Sequence, residues 1–102
     1  MSHKARKRFG QNFLIDRQVI ERIVSTISPK KEDDIVEIGP GKGAITFPLL
    51  EQLNKLNVVE IDRDLIALLQ SSQNTKLIIH EADALSFDFS QISNNLRVVG
   101  NL

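Results

Sequence analysis

The stretch IVEIGPGKGAITF, residues 35–47, decides the fold. Ile35, Val36, Glu37 and Ile38 form an apolar, β-prone run that leads into Gly39, Pro40, Gly41, Lys42 and Gly43, after which apolar residues over 44–53 recur at helical spacing. A strand, a glycine turn and a helix in that order bring backbone close to a small ligand. A P-loop is excluded, because Gly41-Lys42 is followed by Gly43 rather than by a hydroxyl that could reach magnesium. Gly39, Gly41 and Ala44 do satisfy the G-x-G-x-x-G/A fingerprint. Glu60 stands roughly 20 residues further on, where such folds place a carboxylate for ribose hydroxyls. Nicotinamide and adenosyl cofactors both meet this pattern.

Working outward, strands and helices alternate. Val19, Ile20, Ile23, Val24 and Ile27 lie on one helical stripe, with Asp16 as N-cap and Ser28-Pro29 as the stop. A charged linker, 30–34, precedes the first strand at 35–38. The periodicity predicts a helix over 44–53, with Pro48 tolerable only in its first turn. Val58, Val59 and Ile61 read as a second strand. A helix over 63–70 should turn Leu65, Ile66 and Leu69 inward. A third strand is expected at 77–80 and a fourth at 96–99, joined by a polar stretch with a faint helical signal near 87–92. Near-continuous apolar strands between helices predict an α/β fold with a parallel sheet covered by helices.

Composition sets outer limits. The chain has 102 residues, 13 basic and 13 acidic, so net charge carries no information about partners. Distribution carries more: Lys4, Arg6, Lys7 and Arg8 crowd the start with no acid among them. Residues 1–15 therefore read as a basic arm able to contact phosphates, with a solubilising tail as the plainer alternative, and residues 16–102 as the cofactor domain. Phe9 and Phe13 flank Gly10, where an aromatic could pack on cofactor, base or core. The absence of cysteine excludes a disulfide framework and a cysteine-ligated zinc. Nothing approaches a membrane span or a secretory leader, and a soluble, cytoplasmic protein is expected. His3 and His80 read as an arm residue and a strand-end residue, and no metal site is expected.

Local chemistry tilts the glycine turn toward a sulfonium. Pro40 removes a backbone donor that an anion could use. Glu37 places a carboxylate near the turn, and Asp83, after the third strand, could accept from an adenine amine. Glu60 and Asp83 as solvated turn acids is the bland alternative. Three strand ends delivering polar groups to one rim favour a common site.

The motifs RKRFGQNFL (6–14), VEIGPGKGAIT (36–46), VEIDRDL (59–65), EADAL (81–85) and VVGNL (98–102) together resemble the small-subunit ribosomal RNA adenine dimethyltransferases. This is the kasugamycin-sensitivity family, related to the erythromycin-resistance methyltransferases. The resemblance implies a Rossmann-like class I S-adenosylmethionine-dependent methyltransferase fold. It implies dimethylation of the N6 amines of two adjacent adenosines near the 3' end of small-subunit rRNA, within a pre-ribosomal 30S-type particle. It further implies that Asn12 and Leu14 border the cofactor and that Gly39 lies against its methionine part. Glu60 would hold the ribose, Asp83 the adenine amine, and Asn101 would face both cofactor and target base as the catalytic residue.

The family continues past Asn101-Leu102 with a proline and a tyrosine that grip the extruded adenine, further strands and a helical domain. An N-terminal fragment, inactive alone, is the expectation, with a monomeric full-length enzyme and an open fourth-strand edge that invites self-association. A module that binds cofactor and RNA without turnover, and a fragment of an NAD oxidoreductase, are the competing readings.

Overall fold

A computed structural model describes residues 16–100 of the chain. Asp16 opens the first described helix, α1 (Arg17–Ile27), by accepting from the amides of Gln18 and Val19, which lack partners inside the helix. The helix ends where Ser28 turns left-handed at φ 50° and donates its amide to the Val24 carbonyl at 2.9 Å.

β1 (Ile35–Ile38), β2 (Leu56–Glu60), β3 (Leu77–Glu81) and β4 (Arg97–Gly100) form one parallel sheet in the order β3-β2-β1-β4. Helices α2 (Thr46–Leu50) and α3 (Arg63–Gln70) connect the first three strands, and a 3₁₀ turn (Phe89–Gln91) lies on the way to the fourth. The chain thus steps outward from β1 to β3 and then returns to the far side of β1. The strand order therefore reverses between β1 and β4, the place in an open parallel sheet where a crevice forms at the carboxyl ends.

Alternation sends Ile35, Leu56, Val58, Leu77 and Ile79 to one face. There Val24, Ile45, Leu49, Leu50, Leu53 and Leu69 complete the core, each fully buried aliphatic side chain contributing about 2 kcal/mol. Val36, Asn57 and Val59 are buried on the other face. The returning segment lies there, since the Phe87 ring sits 5.1 Å from His80 and 4.9 Å from Phe89. His80 Nε2 also lies 2.9 Å from Asn57 Oδ1, which gives the buried amide oxygen a partner. His80 is therefore a packing residue of its strand. The described helices cover one face; Ile78 and Val98 stay exposed on the other.

Several boundaries differ from the sequence reading, each for a local reason. The second helix spans five residues, not ten, because Gly43 at φ 92° holds the chain in turn geometry through Ile45. Pro48 is its third residue, where no intrahelical amide is needed. After Leu50 the chain tightens, with Gln52 donating to Leu49 and Leu53 to Leu50, so Leu53 reaches the core from a turn. Ile61 lies beyond β2, and β4 begins at Arg97 rather than Leu96. Leu65 is half-buried, while Ile66 and Leu69 carry the inward face of α3.

The amino end of the sheet is tied by polar contacts. Asp33 accepts from the Lys30 amide at 2.8 Å and from Arg97 Nη1 at 2.9 Å, and Arg97 Nη2 donates to the Ile27 carbonyl. The Lys30 amide, ahead of the Arg97 guanidinium, holds the Asp33 carboxyl below its usual range. This clamp fixes α1, the linker and β4 to one another.

Truncating Leu49 to Ala removes a side chain at the centre of the core and is expected to cost about 3 kcal/mol in urea unfolding. The exposed Leu68→Ala on α3 should cost less than about 0.5 kcal/mol in the same measurement.

Candidate functional site

Register aligns the carboxyl ends of all four strands. Ile38 pairs with Val59 and with Gly100, and Val59 pairs with His80. Two hydrogen bonds carry the ladder past the strand ends: the Gly39 amide donates to the Val59 carbonyl at 3.0 Å, and the Ala82 amide to the Glu60 carbonyl at 3.1 Å. Gly39, Glu60 and Ala82-Asp83 are therefore brought to one rim, as the sequence predicted for Gly39, Glu60 and Asp83. Asn12, Leu14 and Asn101, and the basic residues Lys4, Arg6, Lys7 and Arg8, lie outside the described residues.

Gly39 and Gly41 adopt φ 64° and 61°, and a Cβ on either would meet nothing within 4 Å. Their backbone needs glycine, yet the space beside them is open. Gly43 differs. A Cβ there would lie 2.3 Å from the Phe47 ring, so it closes the turn by packing. Its amide donates to the Pro40 carbonyl at 3.0 Å.

Glu60 ends β2 by chemistry that periodicity does not reveal. Its Oε2 accepts from the amides of Ile61 and Asp62, both at 3.0 Å, which replaces ladder bonds and turns the chain. Oε1 accepts nothing from the described residues and remains able to take a hydroxyl. Asp83 is exposed; its Oδ1 accepts from the Leu85 amide at 2.9 Å, leaving Oδ2 for an external donor. Glu81, the register partner of Glu60, is bound instead by Arg63 at 3.2 Å. That ion pair separates the two neighbouring carboxylates in function.

Glu37 is 5% exposed and lies on the strand that enters the turn; its Oε1 accepts from Thr46 Oγ1, on the helix that leaves it, at 2.6 Å. Burial pushes this carboxyl up from 4.5 to about 7, against the Thr46 hydrogen bond. Thr46 was not foreseen as part of the site, since no local pattern links two residues nine apart across a turn. Ile61 was also missed. Assigned to a strand, it is 63% exposed beside Glu60 and offers an apolar wall at the rim. Leu85, 96% exposed after Asp83, offers a second. An apolar residue following a strand-end acid was the available signal.

No group of three or more potential metal ligands occurs among the described residues. An open depression of about 280 Å³, lined by Leu69, Gln70, Gln73, Asn74, Leu77 and Ile79, lies toward the amino end of β3, away from this rim, and holds no titratable group. An adenosyl sulfonium compound fits the rim on three observations: open space at two glycines, carboxylate oxygens left over at Glu60 and Asp83, and a buried acid beside the turn. A pyrophosphate does not, since Glu37 would oppose it and the following helix has only five residues to attract it.

Gly43→Ala is expected to destabilise by about 2 kcal/mol or more through the Phe47 overlap, whereas Gly39→Ala should add backbone strain of about 1 kcal/mol only; thermal unfolding separates them. Glu37 yields a pH signature. Its folded value exceeds its unfolded one, so it favours folding below about pH 4.5 and that contribution is lost as pH rises through about 7. The difference is on the order of 3 kcal/mol. Relative to Glu37→Gln, the unsubstituted chain should lose stability by that order between about pH 5 and about pH 8 in urea titrations.

Comparison with known proteins agrees with this architecture. The family described as Ribosomal RNA adenine dimethylase matches residues 2–102. The Ribosomal RNA small subunit methyltransferase A of Dechloromonas aromatica is 55% identical over 101 residues, covering 98% of this chain and 40% of its own length. The protein of the same name from Marinobacter nauticus is 62% identical over 104 residues, covering 98% and 38%. The chain thus spans about two fifths of the length of these relatives. The crystal structure of a dimethyladenosine transferase from Plasmodium falciparum superposes with a TM-score of 0.74 at 23% identity, over 85% of this chain and 32% of that one, a likeness of fold. With the glycine turn, the strand-end acids and a family match over nearly its whole length, this chain belongs to the ribosomal RNA adenine dimethylases.

Proposed function

We propose that the chain supplies the cofactor half of an S-adenosylmethionine-dependent rRNA adenine dimethyltransferase, with residues 16–102 as the cofactor domain and 1–15 as an RNA-contacting arm. The observation that carries this reading is the convergence of Gly39, Glu60 and Asp83 on one rim beside a buried acid. The family match and the names of the relatives support the reaction class. The whole protein would place two methyl groups on the N6 amine of each of two adjacent adenosines near the 3' end of small-subunit rRNA, in a cytoplasmic pre-ribosomal particle.

When bound, S-adenosylmethionine supplies an electrophilic methyl group already activated by its sulfonium. The chain's own residues then bind, orient and exclude water. Glu60 holds one carboxylate oxygen on the Ile61 and Asp62 amides and presents the other to the ribose diol. Asp83 offers its remaining oxygen to the adenine amine, and Ile61 gives that ring an apolar surface. Gly39 and Gly41 let backbone approach the methionine part. Asn12 and Leu14 would border the same compound, and Asn101 would accept from the target amine, favouring the geometry that frees its lone pair. Lys4, Arg6, Lys7 and Arg8 would contact phosphates with little sequence preference.

S-adenosylmethionine at a hundredfold excess over its dissociation constant should stabilise the chain by about 2.7 kcal/mol, seen as a raised melting temperature. Glu60→Ala should abolish that shift, and NAD should produce none. A shift with NAD and none with S-adenosylmethionine would reverse the assignment. The whole protein is expected to incorporate methyl groups into under-methylated small subunits, and Glu60→Ala to prevent it.

A further inference from the structure

We propose that Glu37 is the buried counter-charge of the cationic cofactor, aimed by Thr46 as a positioning residue, and that binding expels a proton from it so that affinity rises with pH. The inference rests on the S-adenosylmethionine reading above and adds a charge-coupling role that the strand-end contacts do not require.

The geometry is specific. Glu37 is nine-tenths buried and Thr46 fully so, and a single 2.6 Å hydrogen bond joins them across the two sides of the glycine turn. Glu37 Oε2 accepts nothing from the described residues. A buried carboxyl with one donor is costly to ionise unless a positive charge stands near it. No described residue supplies one: Lys42, in the turn itself, is exposed, and burial and the Thr46 hydroxyl are what shift Glu37. On the same face of the sheet, β2 offers only Glu60, itself acidic and held by two backbone amides. β3 offers Glu81, whose charge is met by Arg63. β4 carries Arg97 at the far end, committed to Asp33 and the Ile27 carbonyl. The packed helix α2 has no titratable side chain, only the Thr46 hydroxyl. Burial and that hydroxyl are the two influences on Glu37, which titrates near neutrality.

An empty site of this kind holds a neutral carboxylic acid much of the time. A sulfonium or ammonium placed beside the turn favours the carboxylate, and the proton leaves to solvent. No bond other than O–H breaks. The Thr46 hydroxyl donates to the anion and lowers the cost of forming it. Below neutrality, binding must include the work of deprotonating Glu37; above it, that work is already done. A neutral thioether in the same position would gain less from this coupling than a sulfonium.

Isothermal titration of the full 102-residue chain with S-adenosylmethionine, at about pH 6 and about pH 8 in two buffers of different ionisation enthalpy, tests this. The unsubstituted chain should bind several-fold tighter at the higher pH, up to about tenfold, the limit for one proton leaving a group that titrates near 7. It should also release protons at the lower pH. Glu37→Gln keeps the Thr46 hydrogen bond and should lose that proton release, with affinity nearly flat after the ligand's own ammonium, common to both proteins, is subtracted. Thr46→Val, an independent variant, should move the midpoint to higher pH. S-adenosylhomocysteine should release fewer protons than S-adenosylmethionine. Equal pH dependence and equal proton release in the unsubstituted chain and Glu37→Gln overturn the inference and leave the cofactor reading intact. No binding to either protein at either pH overturns both.

Discussion

At Gly39 the chain must leave β1 while its amide still reaches the Val59 carbonyl. That bond, at 3.0 Å, ties the glycine turn to the end of β2. It is compatible with the turn only because Gly39 takes a left-handed conformation that other residues adopt at a cost. Once the turn is fixed there, Gly41 faces open space, Gly43 tucks under Phe47, and Thr46 arrives over Glu37. The parallel register then places Glu60 and Asp83 beside it. The site is a consequence of one backbone geometry propagated through sheet pairing.

Two kinds of acid meet at this rim and do different work. Glu60 accepts from two backbone amides through one oxygen and keeps the other for hydrogen bonding. Glu37 is enclosed with a hydroxyl and nothing cationic among the described residues, so burial dominates its behaviour. One fold thereby holds a permanent acceptor and a conditional charge within the same short segment of chain. A phosphate-binding turn would be built in the opposite sense, with free amides and no buried acid.

Much of this was legible in the residues. The limits of β1 and α3 follow from apolar runs closed by glycine and by an aspartate cap, and both coincide with the structure. Alternation was enough for a parallel sheet, and four parallel strands form it; the return of β4 to the far side of β1 was not legible, since sequential elements tend to be neighbours. What was not legible came from side chains that act on backbone. Glu60 truncates β2 before Ile61, and the left-handed Gly43 delays α2 to Thr46. The Glu37–Thr46 pair depends on how a helix returns across a strand, a tertiary fact with no local trace. Residues 82–96 were ambiguous because their role is to cover a sheet face with two phenylalanines rather than with a regular helix.

The most direct test of the central claim is a map of backbone amide shifts in isotopically labelled chain as S-adenosylmethionine is added. The account predicts that the largest changes fall together on Gly39, Gly41, Ile61, Asp62, Ala82 and Asp83. Changes centred instead on Gln70, Gln73 and Asn74 beside the depression near the amino end of β3, or spread without focus, would contradict it.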